Sequence, residues 1–358
     1  MALPLPKSGI LEIKPYIGGE GRAANAARLV RLASNENPLG CSPKAREAYL
    51  KMASELHRYP DGAVTDLRAA LGREYKMDPD RIVCGAGSDE LISLIVRAYA
   101  GAGDEVAYSE HGFLMYPINA KAVGAKPVAA PEIGLRADIH ALLKVVTPKT
   151  KVMLLANPNN PTGSYLTKAE LRELREKLPE QVLLVIDAAY AEFVEEKDYE
   201  DGRALVDEYP NVVTLRTFSK IHGLAGLRLG WGYFSPEVAG IINRVRGPFN
   251  VSLPAQAVGI AALTDKDFIQ KSVVLAREGR QWLTEKLQGL GLKVYPSVGN
   301  FLLVEFGPKA EDIRLALKDK GIFVRQMGAY NLPHCLRITM GTAEDNEMVA
   351  GELGKILN

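Results

Sequence analysis

The sequence is short of cysteine, of net charge and of long apolar runs, and each shortage removes a class of protein. Its three cysteines, Cys41, Cys84 and Cys335, are odd in number, far apart and never spaced Cys-x-x-Cys. A disulfide framework is therefore not expected, and small buried residues in a reducing compartment are. The 44 basic and 43 acidic residues leave a charge of +1, so no broad field points to nucleic acid or an anionic membrane. Cations cluster only briefly, as in residues 22–28, which read as a solvated helix face. No apolar stretch approaches a membrane span, and residues 182–186 are only strand-sized. Prolines at positions 4 and 6 interrupt any signal-peptide core. Asn250-Val251-Ser252 fits a glycosylation acceptor, which has no meaning without secretion. No repeat or low-complexity tract appears. These absences predict a cytoplasmic protein.

What remains is an ordinary globular composition, 47% hydrophobic and 24% charged over 358 residues. That length predicts two lobes. From about residue 82 to 234, short apolar runs (81–84, 105–108, 151–156, 182–186, 212–215 and 229–233) alternate with amphipathic stretches such as 89–99 and 167–178. Such alternation predicts an α/β fold with a mainly parallel sheet and helices on both faces. After residue 248 a helical stretch (254–287), apolar runs (292–295, 301–306, 336–340) and a helix at 310–320 suggest a smaller α+β domain. The expected organisation is an arm, 1–30, packing on the small domain, a large domain, 31–247, and a small domain, 248–358.

The polar and glycine-bearing residues fall just after the apolar runs, where open α/β sheets bind ligands. Asp187 ends the run at 182–186, and Thr217-Phe218-Ser219-Lys220 ends the run at 212–215, with Arg228 eight residues later. An exposed loop is the ordinary home of a lysine, and a turn or cap that of an aspartate. Here Phe218, Ile221 and Leu224 surround Lys220 with apolar groups, and desolvation makes an amine nucleophilic. Such a lysine can form a Schiff base with the aldehyde of pyridoxal 5'-phosphate (PLP). The hydroxyls and Arg228 can hold its phosphate, and Asp187 its pyridinium N–H.

Gly85-Ala86-Gly87-Ser88-Asp89-Glu90 precedes a helix, with Ser88 or Asp89 as expected N-cap. A helix N-terminus also suits a phosphate, whereas the dinucleotide pattern Gly-x-Gly-x-x-Gly is not met. Asn160, within a strong turn signal at 157–163, and Tyr190 are candidates for the cofactor 3′-oxygen. Arg337 sits inside an apolar strand pattern. A buried arginine needs an anion, either an internal acid or a substrate carboxylate. Arg325 is a second candidate cation.

These residues resemble, in order and spacing over nearly the whole chain, the fold-type-I PLP-dependent aminotransferases. The anchors are Ser34-Asn35-Glu36-Asn37-Pro38-Leu39-Gly40, Arg58-Tyr59-Pro60-Asp61-Gly62, residues 157–163, Asp187-Ala188-Ala189-Tyr190, Thr217-Phe218-Ser219-Lys220, residues 223–228 and Leu336-Arg337-Ile338-Thr339. The resemblance is strongest to the branch acting on L-histidinol phosphate. It implies that Lys220 binds the cofactor aldehyde and carries the proton in transamination. Asp187 would pair with the pyridine N–H, Asn160 and Tyr190 with the 3′-oxygen, and Ser88, Asp89, Thr217, Ser219 and Arg228 with the phosphate. Phe113 would stack on the ring. Tyr59 would reach the phosphate of a neighbouring subunit, which implies a homodimer with shared sites. Arg337 would bind the carboxylate of glutamate and 2-oxoglutarate, while Tyr16, Asn35 and Arg325 would line the substrate pocket. Two departures stand out: Ala188 replaces a common glutamate, and His222 replaces a common aromatic, where a satisfied structural histidine is expected.

Two rival activities share the fold, an aromatic amino acid aminotransferase and a threonine-phosphate decarboxylase. A PLP-binding regulator would need a DNA-binding domain, for which the roughly thirty residues before the match leave no room.

Overall fold

The computed structural model describes residues 5–19 and 28–357. Most of the cationic cluster at 22–28 therefore lies outside the described residues. In chain order the strands are β1 (Val30–Leu32), β2 (Ile82–Gly85), β3 (Glu105–Ser109), β4 (Lys126–Ala130), β5 (Glu132–Ile133), β6 (Arg136–Ala137) and β7 (Thr150–Ala156). They continue as β8 (Leu183–Asp187), β9 (Val212–Thr217), β10 (Gly230–Tyr233), β11 (Lys293–Tyr295), β12 (Phe301–Glu305), β13 (Ile322–Gln326) and β14 (Cys335–Thr339).

Seven strands form a large sheet in the order β2-β10-β9-β8-β7-β3-β4. All run parallel except β10, which is antiparallel to both its neighbours. Side chains alternate across this sheet as a strand period of two demands. On β7, Val152 and Leu154 enter one buried cluster, and Met153 and Leu155 the other. Both faces are thus covered by helices. The helix Ser88–Tyr99, for example, buries Leu91, Ile92, Ile95 and Val96, and Lys168–Lys177 starts at a capping box between Thr167 and Glu170.

The second sheet, β1-β13-β14-β12-β11, is the smaller domain, with its own core around Leu302, Ile322, Leu336 and Ile338. Packing shifts the expected domain boundaries. β1 pairs with β13, so residues 30–32 belong to the small sheet. The helix Leu253–Leu263 buries Ala255, Val258, Ala262 and Leu263 in the large core. The expected single helix at 254–287 is two, broken at Thr264 and restarted by an Asp265 cap. The second, Lys266–Gly289, joins the domains: Val273 and Ala276 pack beside Tyr190 and Phe301, and Leu283 and Leu287 enter the small core. The arm touches both domains rather than the small one alone, with Glu12 near Lys121 and Arg325 donating to Ile17 O. No helix among the described residues is long and apolar enough to cross a membrane. Cys84 and Cys335 are buried as expected, but Cys41 is exposed, because it sits in the loop entering the helix Pro43–Met52.

Candidate active site

The parallel strands deliver their carboxyl ends to one edge of the sheet, and β10 enters from that same edge. Gly230 lies opposite both Gly85 and Thr217. Arg228, just before β10, is therefore carried to the phosphate end of the candidate site although it is remote from Gly87 in sequence. Its backbone is left-handed (φ 55°) and its Nη2 lies 3.4 Å from Ala86 O.

The expected N-cap role of Ser88 or Asp89 is not what forms. Gly87 (φ 92°) is the N-cap of the helix and supplies no side-chain bond, which leaves Ser88 and Asp89 in the first turn. A Cβ on Gly87 would meet Arg228 Nη2 at 2.6 Å, and one on Gly230 would meet the Ser88 amide at 2.3 Å. The glycines thus bring guanidinium and helix N-terminus together in a cradle suited to a phosphate. Thr217 and Ser219 border it; the Thr217 hydroxyl accepts from the Ser219 amide at 3.1 Å. Asp89 Oδ1 is buried without a partner, and burial raises its carboxyl, with Arg228 opposing.

Asp187 closes β8 with both flanks buried. Its Oδ2 accepts from the Tyr116 hydroxyl at 3.0 Å, while Oδ1 is buried without a partner. Burial pushes its carboxyl up to about 6, with Tyr116 pulling it back. An orphaned carboxylate oxygen is what a pyridinium N–H would satisfy, so the residues present fit PLP. Phe113 stands edge-on to Tyr116 at 5.9 Å, which puts the expected stacking ring beside Asp187.

The half-buried Lys220 donates to Ser34 O at 3.1 Å and lies 5.7 Å from the Tyr190 ring. Burial, reinforced by Arg337, lowers its amine to about 8. Arg337 donates to Ala33 O at 2.8 Å and to Asn160 Oδ1, and its Nε is buried without a partner. Among the described residues no carboxylate pairs with it, so the buried cation lacks the internal acid that was one of its two expected partners.

Asn35, in the left-handed region (φ 53°), spends its side chain on the protein. Nδ2 donates to Tyr190 Oη at 2.9 Å, and Oδ1 accepts from Thr339 at 3.0 Å. It is thus a tie between the two domains. Tyr16 and Arg325 pair by a cation–π contact at 5.5 Å on a cavity of about 630 Å³ that also receives Lys121 and Gln326. Tyr59 does not join the site within one chain; it is 82% exposed and stacked on Phe249 at 4.7 Å.

His222 is buried against Phe218 at 4.7 Å, but it is not the satisfied histidine expected, since Nδ1 has no partner. Burial drives its imidazole down to about 4, so it is neutral at pH 7. Tyr116 is the residue that reading the sequence missed. Its signal was a tyrosine one helical turn after Phe113, at the start of the helix Met115–Ala122.

Residues 27–353 match the family described as aminotransferase class I and II. Among curated relatives, histidinol-phosphate aminotransferase of Rhodospirillum centenum is 55% identical over 99% of both chains. That of Paramagnetospirillum magneticum is 53% identical over 99% of this chain and 98% of the relative. The crystal structure of histidinol-phosphate aminotransferase from Sinorhizobium meliloti, a complex with PLP, superposes with a TM-score of 0.87 at 32% identity, covering 92% of this chain and 90% of that one. The chain belongs to the class I and II aminotransferases.

Proposed function

We propose that this chain uses PLP to transfer the amino group between L-histidinol phosphate and 2-oxoglutarate, giving imidazole-acetol phosphate and glutamate. The observation that carries this reading is that Arg337 and Lys220 are held by consecutive residues, at Ala33 O and Ser34 O, near enough for the guanidinium to lower the amine. An amine-bearing carbon at Lys220 then has its anionic substituent within reach of a guanidinium that no internal carboxylate neutralises. Full-length similarity to histidinol-phosphate aminotransferases selects the substrate.

When bound, PLP supplies the sink for the electrons left at the substrate Cα. The chain supplies the rest. Asp187 Oδ1, buried without a partner, would hold the pyridine N–H. Asn160 and Tyr190 would bond the 3′-oxygen, and Ser88, Asp89, Thr217, Ser219 and Arg228 would hold the phosphate. Lys220 Nζ, with its amine lowered to about 8, is partly neutral near pH 7 and takes the Cα proton. Arg337 orients the carboxylate of glutamate or 2-oxoglutarate, and Arg325 with Tyr16 takes the far end of the substrate. Tyr59 and Phe249, an exposed aromatic pair, support a second copy of the chain seated there, with Tyr59 completing that copy's phosphate site.

The test is the half-reaction followed by absorbance. The PLP-loaded protein is mixed separately with L-histidinol phosphate, glutamate and phenylalanine. Loss of the cofactor's visible band should be fast with histidinol phosphate and glutamate and far slower with phenylalanine. Equal rates would make the enzyme a broad aromatic aminotransferase, and no loss with any amine would refute transamination.

A further inference from the structure

The small hairpin β5–β6 lies outside the large sheet, yet it is tied by side chains to both loops that face the cofactor. On one side Glu132, whose side chain is 1% exposed, holds the loop that carries Phe113. Its Oε1 accepts from the Ser109 hydroxyl at 2.5 Å and from the His111 amide at 3.1 Å, and Oε2 pairs with His111 Nδ1 at 2.8 Å. On the other side Leu135 O, at the hairpin tip, accepts from the Ser164 hydroxyl at 3.1 Å. Ser164 in turn bonds Thr162, and its backbone accepts from the Asn159 amide at 2.8 Å. The circle closes because Asn159 Nδ2 donates to His111 O at 3.2 Å.

The bonds to Glu132 are charge-assisted and shielded from water, which makes them stiff. Between Ser109 and Phe113 the chain leaves β3, and the Glu110 amide donates to Ala130 O at 2.9 Å. Its backbone is pinned at only a few points, among them Gly112 N to Ser109 O at 2.7 Å. The Phe113 ring meets Tyr116, and the hairpin holds the backbone that leads to it at Ser109 and His111.

We propose that the β5–β6 hairpin is a brace for the cofactor pocket, in which Glu132 and His111 are positioning residues that fix the tilt of Phe113 and, through Ser164, the approach of Asn160. This rests on the reading that PLP binds between Asp187 and Phe113. Neither brace residue is among those that would hold the cofactor; both act through the loop leading to Phe113 and through the 157–163 loop.

The test uses the PLP-loaded protein and two readouts that a mere loss of stability would not move. One is the visible circular dichroism of the bound cofactor, which reports ring tilt; the other is the rate of PLP release on dilution. Glu132→Ala should change the dichroism and speed release about tenfold or more, the scale of a lost buried charged bond. In a Phe113→Leu background the same change should speed release less than about twofold, because coupled residues are not additive. Should Glu132→Ala lose its secondary structure, Glu132→Gln keeps an acceptor for Ser109 and the His111 amide, and should show a smaller acceleration of the same sign. Unchanged release in the variant that folds, or full additivity with Phe113→Leu, overturns the brace. Wild-type protein that takes up no PLP overturns the underlying reading, and the brace with it.

Discussion

The Tyr116 hydroxyl donates to Asp187 Oδ2 at 3.0 Å and so leaves Oδ1 as the buried, unpartnered oxygen of that carboxylate. One bond decides which oxygen is spent inside the protein and which remains for a ligand. Tyr116→Phe removes a donor that favours the ionised form, so the Asp187 carboxyl must rise further. PLP affinity should fall by roughly tenfold, as expected for a buried bond to a charged group. Titration of the visible band measures it, and affinity within twofold of wild type would show that the bond is ornamental.

Asp187 also sets a pH dependence in the cofactor-free protein. Burial raises its carboxyl from 3.8 to about 6, so the folded chain binds that proton more tightly than the unfolded one. Its contribution to stability is whole below about pH 4 and is lost as pH climbs through 6. At about 1.4 kcal/mol per unit, the ionised group costs the fold up to about 3 kcal/mol. Asp187→Asn should therefore raise the urea midpoint at pH 8 and leave it nearly unchanged at pH 4. A midpoint lowered at pH 8 would contradict this.

Lys220 runs the other way. Burial lowers its amine from 10.5 to about 8, with Arg337 as the next cause. Capture of PLP by the cofactor-free protein should rise with pH around a midpoint near 8. Arg337→Gln should move that midpoint upward, and Lys220→Ala should abolish covalent fixation by borohydride. Mass measurement of the reduced protein reads the last result directly.

Arg337 and Arg325 should separate the two half-reactions. Glutamate brings a carboxylate to the reacting carbon, whereas L-histidinol phosphate does not. Arg337→Gln should slow the glutamate half-reaction by roughly 100-fold, the cost of stripping a buried charge of its partner. Arg325→Gln should weaken histidinol phosphate more than glutamate. Equal losses for both substrates in both variants would mean the two cations act on one shared anion.

Much of the large sheet was legible because buried parallel strands are short apolar runs, and the residues that follow them reach one edge. Asp187 at the end of β8 and Thr217 at the end of β9 are examples. β4 was not legible, since Lys126 and Pro127 open an edge strand that need not read as apolar. Nor was the hairpin, whose strands have two residues each and whose turn, Gly134-Leu135, is left-handed at both positions. β1 has three residues and is a strand only because β13 lies beside it. The candidate site was legible where chemistry demands a residue type, as at Lys220 and Arg228. It was illegible where a residue acts through another, because Tyr116 looks ordinary until its distant partner Asp187 is known, and Asn35 was read as a pocket residue rather than as the tie between Tyr190 and Thr339.

The helix Lys266–Gly289, at about 1.5 Å per residue, is a rod some 36 Å long, with one part packed beside Tyr190 and Phe301 and the other in the small core. Melting the small sheet alone would strip Leu283 and Leu287 of their partners and expose the end of a helix whose beginning stays packed. Neither domain can therefore unfold without loosening the other. The two cores should unfold together, in a single calorimetric transition whose van't Hoff and calorimetric enthalpies agree.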